Sequence, residues 1–226
     1  MKKIMFDDHY GLTQAVLDGR KTMTRRVIPE KYSQYFELGC GEVKRTFNEE
    51  YQSFTFWQHT AGSKPEDGLI RPTRFVEPIR VSPFKKGEEV AIAESYESLA
   101  NSHYCSELGM MDSSTTFKKD FCGEGWKNKM FVKASLMPHR IRITGIKVER
   151  LQDISDEDCM REGIFEQGHC FFSKGIEVQG GSRYYSGLQP YPSPKDAFHI
   201  LINKVSGKGT WEKNPYVFVY SFELVK

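Results

Sequence analysis

Arg140-Ile141-Arg142-Ile143-Thr144-Gly145-Ile146-Lys147-Val148 is a strand whose alternation changes step halfway. Ile141 and Ile143 alternate with Arg140 and Arg142. Then Gly145 intervenes, and the apolar positions resume at Ile146 and Val148. Residues two apart along a strand share a face, so a change of parity at a glycine is what a β-bulge produces. Barrels use such bulges to bend strands around corners, and the stretch therefore predicts a barrel rather than a flat sheet.

C-terminal to this strand, Ser155 is an N-cap and Asp158 completes a capping-box-like pattern, with Ile154 placed to staple onto Cys159. That short helix ends at Glu162 with Gly163 as its cap. Residues 165–192 read as a loop rich in glycine and tyrosine, including Tyr184, Tyr185 and Tyr191. Ser193-Pro194-Lys195-Asp196 starts a second helix with cap, first-turn proline and acid. It buries Ala197, Phe198, Leu201, Ile202 and Val205, and Gly207 ends it. Tyr216 to Leu224 is a final strand, apolar on both faces as a strand covered on two sides must be.

On the N-terminal side, residues 97–136 show little periodicity. Glu89 to Glu94 is a strand with Val90, Ile92 and Glu94 on one face, so the Glu94 carboxylate either enters from the core side or leaves the rim into water. Residues 29–80 form a long insertion punctuated by glycine and proline, with a hairpin inside it such as Ser53 to Trp57. Lys3 to Phe6 makes a first strand. Leu12, Ala15 and Val16 recur at helical spacing, and Gly19 sits where a left-handed cap would stop that helix. The expected fold class is α+β: a mixed, mostly antiparallel barrel with two or three short helices. It is expected as a single domain over 1–226, with insertions near 29–80, 97–136 and 165–192.

The 226 residues, 38% hydrophobic and 27% charged, describe a globular protein with room for a sizeable core. No apolar run approaches the ~20 residues of a membrane helix, and no leader pattern follows Met1, so a cytoplasmic protein is expected. A net charge of +2 is too small to imply nucleic-acid binding by itself. Any electrostatic footprint must be a local patch. Cys40, Cys105, Cys122, Cys159 and Cys170 are widely spaced and form no Cys-x-x-Cys, which reads as free thiols. His103-x-Cys105 with Cys122, and His169-Cys170, lack the second close ligand pair of a zinc site, so no metal and no cofactor is expected. The His-x-Glu and Pro-Cys-x-x-Cys pattern of zinc deaminases is absent.

The local patch is Asp18-Gly19-Arg20-Lys21-Thr22-Met23-Thr24-Arg25-Arg26. Lysine and arginine are favourable at a helix C-terminus, so a well-terminated surface helix is one reading. The cations continue past the cap, however, and alternate with threonines instead of glutamates. Such a stretch suits an anionic or polar ligand, with Arg20, Thr22, Arg25, Arg26 and Glu94 as candidate binding residues.

The run Ala15 to Arg26 resembles the opening signature of ASCH domains, small barrels related to the PUA fold. Phe84-Lys85-Lys86-Gly87-Glu88-Glu89-Val90 leading to Glu94, Ile141 to Gly163, and Gly209-Thr210-Trp211 with Asn214 to Phe222 are similar as well. Together they cover about half the chain in the family's order and look most like its longer, phage-associated branch. The resemblance implies a PUA-like barrel and association with RNA. It also implies that Gly19, Lys21, Thr22 and Thr24 match the family's Gly-x-Lys-Thr-x-Thr pattern. In members that act as amidohydrolases this places the catalytic set at Lys21, Thr24 and Glu162, deacylating a modified nucleoside such as N4-acetylcytidine.

That chemistry is coherent. A threonine hydroxyl needs a neighbouring base, and lysine serves only if burial or nearby cations lower its pKa. Glu162 would orient Lys21 or pass a proton to the leaving amine. In a regular strand Lys21 and Thr24 would face opposite sides, so the set requires a turn between them. Thr24 also suits a turn cap, Lys21 also suits phosphate binding, and a pair with Arg161 or Lys147 would also account for Glu162. Three functions are compatible with these residues. The first is an RNA- or nucleotide-binding module using Arg20, Lys21, Arg25, Arg26, Arg140 and Arg142 for charge. In it Tyr184, Tyr185 and Trp211 would stack bases, although Trp211 equally suits core packing. The second is the amidohydrolase, and the third is a barrel that mediates a protein contact.

Overall fold

A computed structural model describes residues 1–29, 43–48, 53–58, 74–75, 79–80, 82–101, 127–178 and 187–225. In chain order the elements are β1 (Lys3–Ile4), α1 (Leu12–Leu17), β2 (Met23–Val27), β3 (Val43–Asn48), β4 (Ser53–Gln58), β5 (Arg74–Phe75) and β6 (Ile79–Arg80). There follow β7 (Glu89–Ile92), α2 (Tyr96–Asn101), β8 (Arg140–Arg150), α3 (Asp156–Arg161), β9 (Phe165–Gln167) and β10 (Cys170–Phe172). The chain ends with α4 (Pro194–Val205), α5 (Thr210–Lys213) and β11 (Tyr216–Val225). The fold is α+β with a mostly antiparallel sheet. Among the described residues the five α-helices exceed the expected two or three, because α2 and the single turn of α5 are too short to leave a periodic signature. Among the described residues no helix is long and apolar enough to cross a membrane.

The main sheet runs β1-β7-β8-β11-β2, with β1 and β7 parallel and the other pairs antiparallel. Its centre is the ladder between β8 and β11, and the expected bulge lies in it. Ser221 pairs with Gly145 but Phe222 pairs with Ile143, so Thr144 has no opposite number. The extra residue restores the phase. Ile141, Ile143 and Ile146 are all buried, lying across from Leu224, Phe222 and Tyr220 on one face, while Thr144 is exposed. In a regular ladder without the bulge, the apolar residues on either side of Gly145 would point to opposite faces. No ladder joins β1 to β2 among the described residues, so the backbone pairing leaves the sheet open. A side chain spans the two edges instead, Arg26 Nη2 donating to the Met5 carbonyl.

Two further sheets lie in the expected insertions. In the first, β4 pairs with β3 along its length and with β5 and β6 along its other edge. The hairpin anticipated at Ser53 to Trp57 is therefore one strand of a four-stranded sheet. The stretch 165–192, read as a loop, contains the hairpin β9–β10 turned by Gly168-His169. Its strands are three residues each, too short for alternation to register. Tyr184 and Tyr185, like Cys40, His103, Cys105 and Cys122, lie outside the described residues. Cys159 and Cys170 are free.

Helix ends follow their cap chemistry. Ser155 Oγ accepts from the Asp158 amide and Ser193 Oγ from the Asp196 amide. α4 buries Ala197, Phe198, Leu201 and Ile202, but Val205, expected inside, is 37% exposed in the last turn. Phe198, Phe218 and Tyr220 anchor the core, each contributing about 1.5–3 kcal/mol by burial. Tyr220 keeps its hydroxyl bonded to Ser82 Oγ at 2.8 Å.

Burial pushes the Cys159 thiol and the Tyr220 phenol each up to about 12, from ordinary values of 9.0 and 10.0. The folded chain thus holds these protons more tightly than the unfolded chain does, and stability falls as pH rises from about 9 towards 12. Between pH 8 and pH 11 the wild type is expected to lose on the order of 2–3 kcal/mol more than Cys159→Ala. Urea unfolding of both proteins across that range is the measurement, and equal pH slopes would refute the assignment.

Candidate functional site

α1 ends at Leu17 and Gly19 follows at φ +74°, a left-handed turn that a glycine takes without strain. The turn lets the Lys21 amide bond back to Ala15 O at 2.8 Å, before β2 begins at Met23. Lys21 therefore does not obey strand alternation with Thr24, and both line one cavity of about 650 Å³. The sequence reading required a turn between these two residues; the turn lies before Lys21 instead, and Lys21 escapes the alternation because it precedes the strand.

Glu162 caps α3, and Gly163 at φ +108° swings the chain away behind it. A Cβ at Gly163 would sit 3.2 Å from Leu12 Cδ2 and 3.8 Å from Lys21 Cδ, so the close approach here needs glycine. Lys21 Nζ donates to Glu162 Oε2 at 2.5 Å and to Glu162 O at 2.8 Å. Both side chains are buried. Burial lowers the Lys21 pKa; Glu162 opposes the shift, while Arg26 and Arg25 add to it, and the result lies below the ordinary lysine value. Of the alternative partners for Glu162, Arg161 bonds Thr22 Oγ1 and pairs with Asp158, and Lys147 pairs with Glu149 and Asp158.

Strand register sorts the arginines. Thr24 and Arg26 lie across from Tyr220 and Phe218, while Arg25 lies across from Val219, which in turn faces Lys147. Thr24 and Arg26 thus share the face of Ile146, Val148 and Arg150, and Arg25 belongs to the other. The Arg25 side chain is 0% exposed and is committed to three carboxylates: Glu149 Oε1 at 2.7 Å, Asp158 Oδ2 at 2.9 Å and Glu162 Oε1 at 3.1 Å. Burial works against its charge, but those carboxylates, Glu162 first, hold its pKa above the ordinary arginine value. Asp158 is correspondingly lowered: burial opposes its charge, and Arg25 with Lys147 outweighs that. Asp158 was expected to close a capping box, yet its carboxylate is drawn to these cations.

The remaining candidates are placed elsewhere. Arg20 pairs with Asp18 at the surface, and Thr22 accepts from Arg161; neither lines the cavity. Glu94 is buried beyond the end of β7, where Oε1 meets His139 Nδ1 at 2.8 Å and Oε2 accepts from Ser98 at 3.1 Å. It does not line the cavity either. Trp211 packs against Phe198 and stacks on His199, in keeping with its structural reading.

Phe6, Leu12, Ile28, Phe198, Leu201 and Ile202 give the cavity an apolar wall. Lys21 and Arg26 each approach the Phe6 ring, at 5.8 and 6.0 Å from its centroid. Arg150, Lys213 and Tyr216 also line it and were not singled out from the sequence. They come together because Arg150 pairs with Tyr216 across the ladder, 66 positions apart, and no local motif carries that register. Among the described residues no group of three or more His, Cys, Asp or Glu side chains is arranged to hold a metal ion.

Comparison with protein-family models, with curated proteins and with solved structures finds no match for this chain.

Proposed function

We propose that this chain binds a nucleoside or nucleotide, free or within RNA, in the cavity on the Thr24–Arg26 face, as a PUA-like domain of the ASCH kind. The observation that carries the reading is convergence. Lys21, Thr24 and Glu162, which the resemblance selects from positions up to 141 residues apart, line one cavity together with Arg26. Its volume of about 650 Å³ suits one small ligand. The mixed apolar and polar lining suits a base and its hydrogen-bonding edge. The bulged β8 and the Arg26 bridge between sheet edges support the PUA-like barrel.

A second reading, hydrolysis of an acylated nucleoside, is favoured by Thr24. Its hydroxyl makes no hydrogen bond among the described residues, although Thr24 is 5% exposed and lines the cavity beside Lys21. In that reaction Lys21 passes a proton to Glu162 and then, as the neutral amine, takes the Thr24 proton. The hydroxyl oxygen bonds to the acyl carbon, the carbon–nitrogen bond breaks, and the released amine takes up a proton. Water then cleaves the acyl-threonine ester. The lowered Lys21 pKa favours the neutral amine this needs.

N4-acetylcytidine turnover and binding by wild type, Lys21→Ala and Thr24→Ala, with circular dichroism to confirm folding, test both readings. Turnover in the wild type that falls at least about 100-fold in folded Thr24→Ala, with binding retained, establishes the hydrolase. Binding that needs Lys21 but yields no turnover establishes the binding module. Neither binding nor turnover rejects both for this ligand.

A further inference from the structure

We infer that the cavity is built for a phosphorylated ligand, a nucleotide with its phosphate at the Arg150–Lys213 end and its neutral part towards Thr24. This rests on the nucleoside reading above and names the ligand's charge.

The cavity is electrostatically uneven along its length. At the Thr24 end the cations are neutralised: Lys21 is paired with Glu162, and Arg25 with Glu149, Asp158 and Glu162. A second anion there would have to break a buried pair, which is costly. At the other end, Arg150 Nη1 donates to Asn214 O at 3.0 Å and its guanidinium lies 3.9 Å from the Tyr216 ring centroid. Neither Arg150 nor the exposed Lys213 has a carboxylate partner among the described residues. Asp7, whose carboxylate accepts from the His9 amide, is the opposing charge on the cavity wall besides Glu162.

Register gives the separation. Thr24 lies across from Tyr220, and Arg150 lies across from Tyr216, on the same face of β11. Four residues of strand span about 13 Å along β11, and β2 and β8 flank it two strand spacings apart, about 9.6 Å, so the two backbone positions lie about 16 Å apart. Arg26, across from Phe218, stands between them. Arg26 also has no carboxylate partner among the described residues, and arginine stays charged at any working pH. With the side chains of Arg26 and Arg150 lining the cavity between those positions, a mononucleotide bridges the remaining gap from base edge to phosphate. Arg150, held in place by the ring beside it and by one carbonyl, keeps its remaining N–H groups in the planar fork that binds phosphate oxygens. A free nucleoside would leave these cations without a counter-charge.

Calorimetric titration compares N4-acetylcytidine with its 5′-monophosphate, on wild type, Arg150→Gln and the surface variant Lys213→Gln. The monophosphate is expected to bind wild type at least about tenfold more tightly. That advantage should shrink with added salt, fall in part in Lys213→Gln and largely vanish in Arg150→Gln. Equal affinities for the two ligands overturn the phosphate assignment and leave the nucleoside reading standing. Binding of neither removes the reading beneath it and the assignment together. A short RNA carrying one N4-acetylcytidine that outcompetes the monophosphate identifies the phosphate as a backbone one, with the same dependence on Arg150.

Discussion

Arg25→Ala is expected to destabilise the protein by about 3–5 kcal/mol, the cost of removing one partner from a buried charge network. The guanidinium is fully enclosed and bonded to Glu149, Asp158 and Glu162, which come from β8, α3 and the end of α3. Its loss leaves Glu162 sharing a single cation and puts two further carboxylates beside it without their common partner. Lys147 and Arg161 relieve Asp158 in part, because both reach it from the surface. Urea unfolding at neutral pH measures the loss, and Arg25→Lys serves as the control. Lysine restores one charge without the fork that serves three acceptors, so partial recovery is expected. A loss under about 1 kcal/mol for Arg25→Ala would show that the network contributes as little as a surface pair.

Glu162→Gln has the second large effect, and its signature is pH. The amide keeps the shape of the carboxylate but leaves the Lys21 ammonium buried without its counter-charge, at an expected cost of about 3 kcal/mol near pH 7. Lys21 already titrates below its ordinary 10.5 through burial, and losing Glu162 moves it lower still. The unfolded chain then binds the Lys21 proton more tightly than the folded chain does between that lowered value and 10.5, so stability rises with pH in this window. The deficit of the variant relative to wild type is expected to narrow from pH 6 to pH 9.5. A deficit constant across that range would mean that Lys21 is not the group left exposed by the substitution.

The parts of the chain that the sequence made legible are those whose cause is local. Caps at Ser155 and Ser193, the turn at Gly19 and the step in alternation at Gly145 are each decided within a few residues. Glu162 is singled out by the resemblance; an acid at a helix C-terminus opposes the dipole, and its partners Lys21 and Arg25 account for that placement. Arg25 and Arg26 are where local reading fails. Adjacent basic residues look alike, but alternation sends one into a carboxylate cluster and leaves the other on the cavity face. Glu94 fails differently: parity left it between the core side and the water, and it is buried, but against His139 and Ser98. The Arg150 end of the cavity depends on long-range register, which no short pattern encodes.

The bulge at Thr144 has a further consequence. It acts as a phase joint, dividing the strand into two lengths that answer to different neighbours. Arg140 to Arg142 are indexed against β7, while Gly145 to Arg150 are indexed against β11 alone among the paired strands. Pairing Thr144 into a regular ladder, with no residue removed, would slide one length past its partner by a single position. Every side chain beyond it would then turn over, Arg150 would leave Tyr216, and the cationic end of the cavity would be dismantled from about 20 Å away without any of its own residues having changed.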